Sequence, residues 1–400
     1  MVMKELSLKA KQIQPSVTLE IDAKAKKMKA EGVDVVGFGA GEPDFDTPQF
    51  IIEAADQAMR AGKTRYTPAA GTLELRKAVC EKLKRENGLE YQPSQIVVSN
   101  GAKHSLYNTM QAICNPGDEV LLPGPYWVSY YEQIKMAGAT PVIVMAREED
   151  GFTLSAEQLE EAITPSTKAL VLCSPSNPTG AVYSREQLQA IADVVVKHGI
   201  YVISDEIYEH LIYDGREHVS IAGLGAEIKE QTIVINGMSK AYCMTGWRIG
   251  FTASNQQIAS VMANYQSHAT SNPNSIAQAA SVAALAGGKE KVKDMVAEFA
   301  RRRDYMTGRI NEIPGLSARK PQGAFYLFVN ISGIFGKAFN GETIHNALEF
   351  SASLLQNSNV AVVPGEAFGD GRYVRLSYAT SMENIQKGLD RIEAFVKALV

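Results

Sequence analysis

Between about residue 90 and residue 255 the chain repeats one pattern. A short apolar, β-branched run stops abruptly at Gly, Pro, Asn, Ser or a charge, and helix-like sequence usually follows. The runs are Ile96-Val97-Val98, Val120-Leu121-Leu122, Pro141-Val142-Ile143-Val144, Ala169-Leu170-Val171-Leu172, Tyr201-Val202-Ile203, Thr232-Ile233-Val234-Ile235 and Arg248-Ile249-Gly250-Phe251. They are short and apolar on both parities, which predicts strands buried on both faces. Helical sequence between them, such as Ser184 to His198, makes the expected fold an α/β sandwich with a mostly parallel central sheet. After about residue 290 the pattern changes. Charged helical sequence from Lys289 to Asn311 leads to Gly323-Ala324-Phe325-Tyr326-Leu327-Phe328-Val329. A further helix then leads to Val360-Ala361-Val362-Val363-Pro364 and Tyr373-Val374-Arg375-Leu376. This α+β pattern predicts a smaller domain over 291–400, a large domain over 49–290, and an N-terminal segment, 1–48, packing with the smaller one.

Composition adds boundaries. A chain of 400 residues is too long for one ordinary core, which fits that division. Hydrophobic residues at 45% and charged residues at 21% are ordinary for a soluble globular protein. A formal charge of −4, with no basic run at either end, argues against nucleic acid as a partner. No apolar stretch approaches the roughly 18–20 residues that cross a bilayer, so no membrane partner is expected. Residues 1–10 lack the apolar core of a secretory signal. Cys80, Cys114, Cys173 and Cys243 are widely spaced and form no CxxC pair. They suit neither zinc nor a disulfide framework, and are expected as reduced, mostly buried thiols in the cytoplasm.

Ligands of open α/β sheets bind beyond the carboxyl ends of the strands. There the sequence offers Ser99-Asn100-Gly101-Ala102-Lys103, Pro123-Gly124-Pro125-Tyr126-Trp127, Ser174-Pro175-Ser176-Asn177-Pro178-Thr179-Gly180, Ser204-Asp205-Glu206-Ile207-Tyr208 and Asn236-Gly237-Met238-Ser239-Lys240. Gly101-Ala102-Lys103 opens a helix with apolar spacing Leu106, Met110, Ile113; small residues there let backbone N–H groups approach a phosphate. Asp205 follows a buried run, where an isolated carboxylate is costly unless paired. Its alternatives are a helix cap or surface pair and a carboxylate for a pyridinium N–H. Glu206 is adjacent and points to the opposite face, so the two make a poor acid/base pair. Lys240 reads either as a solvated lysine or as an amine whose pKa is lowered by desolvation and by Arg248, as a Schiff-base nucleophile requires. Arg248 also offers a fork of donors for phosphate. Arg375 lies inside an apolar run, where its partner is either a protein carboxylate or a substrate carboxylate.

Taken together these residues resemble the class I aminotransferases of the pyridoxal 5′-phosphate-dependent fold type I. The matching motifs are Gly39-Ala40-Gly41-Glu42-Pro43-Asp44-Phe45, Tyr66-Thr67-Pro68, Gly71, the segments around Asn177, Asp205 and Tyr208, Ser239-Lys240 with Arg248, and Val374-Arg375-Leu376-Ser377. They span nearly the whole chain in the family's order. The resemblance implies that Lys240 carries pyridoxal 5′-phosphate as a Schiff base and that Asp205 pairs with the pyridine nitrogen. It implies that Tyr208 and Asn177 hydrogen-bond the phenolate oxygen and that Trp127 stacks on the ring. Gly101, Ala102, Lys103, Ser239 and Arg248 would surround the cofactor, joined by Tyr66 from the neighbouring subunit of a homodimer. Arg375, Gly39, Asn177 and Trp127 would hold the substrate. One departure stands out: many relatives carry a phosphate-binding Ser or Thr where this chain has Gly237.

Within the family the chain looks most like the bacterial aspartate aminotransferases, a subgroup in which some members also accept prephenate. There the lysine at the place of Lys103 contacts the distal carboxylate, and a segment like Pro15-Ser16-Val17-Thr18 closes over the site. The implied reaction is ping-pong transfer of an amino group from aspartate or glutamate to a 2-oxo acid. Sites of this shape also serve other chemistries, so an aminotransferase of aromatic or alanine specificity, a C–S lyase and an aminocyclopropane-carboxylate synthase are the enzymatic rivals. A cofactor-binding transcription regulator would need an added helix-turn-helix module.

Overall fold

The structure, a computed structural model, describes residues 4–11, 13, 17–287 and 292–400. Pro15 and Ser16 of the expected closing segment lie outside these residues. In chain order the strands are β1 (Val36–Gly37), β2 (Ile96–Ser99), β3 (Glu119–Gly124), β4 (Thr140–Met145), β5 (Thr167–Cys173), β6 (Tyr201–Asp205), β7 (Thr232–Gly237), β8 (Gly250–Ala253), β9 (Ser317–Ala318), β10 (Tyr326–Asn330), β11 (Ala338–Phe339), β12 (Glu342–Thr343), β13 (Val360–Ala361), β14 (Val363–Pro364) and β15 (Tyr373–Ser377).

The central apolar runs are strands because their side chains fill two cores at once. In β3, Val120 and Leu122 join one core while Leu121 joins the other. In β5, Ala169 and Val171 alternate with Leu170 and Leu172 in the same way, and β6 divides Ile203 from Val202. Helices Ala102–Ile113 and Gln256–Ala269 supply Leu106, Met110 and Met262 to the first core. Helix Arg185–His198 supplies Leu188, Ile191 and Val195 to the second. That helix is delimited by sequence: Ser184 and Gln187 form a reciprocal capping box, and Gly199 ends it at φ 66°.

The seven-stranded sheet has the order β2-β8-β7-β6-β5-β3-β4. β4, β3, β5, β6 and β7 run parallel, and β8 is antiparallel to both of its neighbours. Two details differ from the sequence expectation. The apolar pattern predicts a strand from Arg248 onward, but Arg248 sits at φ 56° as the cap of a short 3₁₀ turn, and β8 begins at Gly250. The pattern predicts a run around Ile143 buried on both faces; in the structure β4 is the edge strand of the sheet among the described residues, and Ile143 is 42% exposed.

A four-stranded antiparallel sheet, β14-β15-β10-β9, occupies the C-terminal part, and β11 and β12 form a hairpin. β1 pairs in parallel with β13, which fastens residues 36–37 to this part of the chain. Phe38 continues the contact, since its N–H donates to Ala361 and its carbonyl accepts from Ser377 N–H. The segment from Gly39 onward is thereby delivered to the large sheet's carboxyl edge. Among the described residues no helix is long and apolar enough to cross a membrane.

Candidate active site

Asp205 ends β6 and is 3% exposed. Its Oδ2 accepts from the Tyr130 hydroxyl at 2.7 Å, and its Oδ1 accepts from Ile207 N–H at 3.2 Å. Burial raises its pKa to about 6, opposed by those two hydrogen bonds. Glu206 points away, as strand alternation requires, and accepts from Ser204 and Ser220 while pairing with His218. Tyr208 follows on the site side, its hydroxyl 3.0 Å from that of Tyr326.

Lys240 lies just beyond β7. Its amine donates to the Gly41 carbonyl and stands 6.0 Å from the Tyr208 ring centroid. Burial lowers its pKa to about 8; Arg248 and Arg375 act in the same direction, and Glu42 and Asp205 oppose them. Ser239, beside it, is buried. At Gly237 a Cβ would lie 2.8 Å from the Ile249 carbonyl, so the β7–β8 contact leaves no room there for the side-chain donor of other family members.

Arg375, in β15, is 3% exposed. It donates from Nη1 to Asn177 Oδ1 at 2.9 Å and from Nη2 to the Gly39 carbonyl at 3.0 Å. Its Nε has no partner, and among the described residues no carboxylate lies within ion-pair distance. The intramolecular ion pair weighed from sequence is therefore not what holds it. The loop of Gly39 and Gly41 joins this guanidinium to the Lys240 amine.

Gly101 caps helix Ala102–Ile113 at φ 86°. A Cβ there would lie 2.3 Å from Arg248 Nη2, so glycine is what lets the guanidinium lie against the helix start. Arg248 is tied by Nη1 to the Thr245 carbonyl at 2.8 Å. Lys103 sits over Trp127, its Nζ 4.8 Å from the ring centroid, and burial followed by Arg248 lowers its pKa. A cavity of about 420 Å³ opens beside Lys103 and Arg248, lined also by Val128 and Ser129. Tyr66 stands apart: in the single chain it is 91% exposed.

Sequence reasoning did not single out Tyr130, Tyr326 or Glu42 as site residues. Tyr130 follows Trp127 by three positions on a helix after a strand end, which is the signal that was available.

The family model for aminotransferase class I and II matches residues 33–392. The chain belongs to the class I and II aminotransferases. It is 49% identical over 393 residues to the aspartate aminotransferase of Bacillus subtilis (strain 168), covering 98% of this chain and 99% of that one. It is 48% identical to the probable aspartate/prephenate aminotransferase of Aquifex aeolicus (strain VF5), covering 98% of each. The crystal structure of the aspartate aminotransferase from Rhizobium meliloti superposes with a TM-score of 0.96 at 44% identity, covering 100% of both chains. The family and the α/β fold expected from the sequence thus hold for this aminotransferase. All four of its cysteines are free.

Proposed function

We propose that this aminotransferase holds pyridoxal 5′-phosphate at Lys240 and transfers the amino group of aspartate or glutamate to a 2-oxo acid by a ping-pong route. 2-Oxoglutarate and oxaloacetate are the proposed acceptors, with prephenate a further one. The observation that carries the reading is the convergence, at one sheet edge, of three groups that the protein itself leaves incomplete. Among the described residues, Arg375 has no carboxylate and Asp205 no cation within ion-pair distance, and the Lys240 amine bonds only a carbonyl. A cofactor with a ring N–H and a substrate with a carboxylate complete all of them.

The residues fit that cofactor. Gly101, Ala102 and Arg248 offer a phosphate a helix N-terminus and a guanidinium together, with Ser239 and Lys103 nearby. Asp205 would face the ring nitrogen, Tyr208 and Asn177 the phenolate oxygen, and Trp127 the ring face. When bound, pyridoxal 5′-phosphate supplies an electrophilic carbonyl and a ring that takes up carbanion charge. Arg375, Asn177 and the Gly39 backbone orient the substrate α-carboxylate, and Lys103 meets the distal one. The Lys240 amine, with its pKa at about 8, would take the proton from the substrate Cα and deliver it to the carbon that the cofactor contributed as its carbonyl.

The chain is proposed to work as a cytoplasmic homodimer, with a large unit over 49–290, a smaller one over 291–400 and residues 1–48 packing with the latter. The exposed Tyr66 would reach the phosphate of a second copy.

Purified Lys240→Ala is expected to lose transamination, and near-normal turnover would overturn the assignment. A panel of aspartate, glutamate, alanine, aromatic amino acids and prephenate tests the substrate class on wild type and Lys103→Ala. Dicarboxylates should lead in wild type and lose that lead in the variant. Equal use of alanine by wild type would sink the dicarboxylate reading.

A further inference from the structure

Tyr130 lies on helix Val128–Met136 and is 2% exposed. Its hydroxyl donates to Asp205 Oδ2 at 2.7 Å, and its ring meets Trp127 edge-on, with centroids 5.3 Å apart at 88°. Ile207 N–H occupies Oδ1. Other titratable groups face this carboxylate from each side. Cys173 ends β5, its thiol pushed up to about 12 by burial and so neutral. Glu206 is engaged by Ser204, Ser220 and His218. The Lys240 amine is held by Gly41. Among the described residues, Tyr130 is the one side chain that donates a hydrogen bond to Asp205.

We propose that Tyr130 is a positioning residue that determines where the proton sits between Asp205 and the ring nitrogen of the bound cofactor. The inference rests on the reading that pyridoxal 5′-phosphate occupies this site. A hydrogen bond donated to an ionised carboxylate favours the ionised form. With the Tyr130 donor in place, Asp205 stays anionic and the proton stays on the ring nitrogen. Without it the carboxylate gains proton affinity, and the same proton moves from nitrogen to Asp205. Burial keeps the Tyr130 hydroxyl itself protonated, well above its ordinary range, so it remains a donor.

The test uses holoenzyme loaded with cofactor carrying ¹⁵N in the ring, read by nitrogen NMR across pH, together with kcat and KM. In Tyr130→Phe the ring nitrogen should lose its proton at a pH lower than in wild type, corresponding to about a tenfold or larger change in the equilibrium. The fall in kcat should exceed the change in KM. A fluorinated tyrosine incorporated at position 130 is a stronger donor and should hold the proton on nitrogen to higher pH. That variant keeps the test open if the Phe protein does not fold. Nitrogen shifts that follow the wild-type curve in either folded variant would overturn the inference, even if kcat falls, because packing alone would then explain the loss. Failure of wild type to take up the cofactor would instead overturn the reading on which the inference rests.

Discussion

At the residue scale, Asp205 carries a cost in the cofactor-free protein. Burial raises its folded pKa to about 6, against an ordinary 3.8. The folded state therefore binds the proton more tightly than the unfolded chain between those values. The contribution of this one group to stability is therefore greatest below about pH 4 and is lost as pH rises to 6 and beyond, by on the order of 3 kcal/mol. Cofactor-free Asp205→Asn should accordingly melt above cofactor-free wild type at pH 8, with the gap closing toward pH 4. Thermal melts over that range check it, and a variant that melts lower at pH 8 contradicts it. Arg375 is the complementary case: its guanidinium has aromatic neighbours, with the Tyr326 ring centroid 4.3 Å from its carbon, yet it keeps an unpartnered Nε. Such a group waits for an anion.

At the element scale, the site depends on how closely β8 approaches helix Ala102–Ile113. A Cβ on Gly250 would lie 2.2 Å from Ala102 N, so the strand touches the helix start directly. Gly250→Ala must push the two apart, at about 1–3 kcal/mol of overpacking. It should also displace the N–H groups at the proposed phosphate site. Cofactor affinity measured by equilibrium titration is expected to fall at least tenfold, and unchanged affinity would show that these N–H groups do not hold phosphate. Strand ends were legible here because a buried run that stops at a polar residue must end at the sheet's edge. The antiparallel turn at β8 was not legible, since Arg248 looks like part of an apolar run and only its φ of 56° removes it from the strand.

At the scale of the whole molecule, Tyr66 is 91% exposed on a chain whose other proposed site residues are gathered together. If it serves a second copy, Tyr66→Ala and Lys240→Ala chains should each be poorly active alone. Mixed and re-equilibrated, they should regain part of the activity, because a hybrid dimer has one site with both residues intact. Sedimentation should give about twice the 43.4 kDa chain mass. Activity of the mixture equal to the sum of the parts would place Tyr66 outside a shared site.

The sequence by itself determined the alternating apolar runs, the polar residues at their ends and the motifs that resemble the aminotransferases. These follow from local chemistry: periodicity decides which residues are buried, and a buried strand must stop where its polar groups meet water or a ligand. Only the tertiary structure decided which of those residues meet. Arg375 and Gly39 are 336 positions apart, and Tyr130 and Asp205 are 75 apart. No local pattern carries such a pairing. Lys240 shows the division clearly. Its place after an apolar run was visible in the chain, while its pKa near 8 comes from burial and from Arg248 and Arg375, which reach it only in the folded protein.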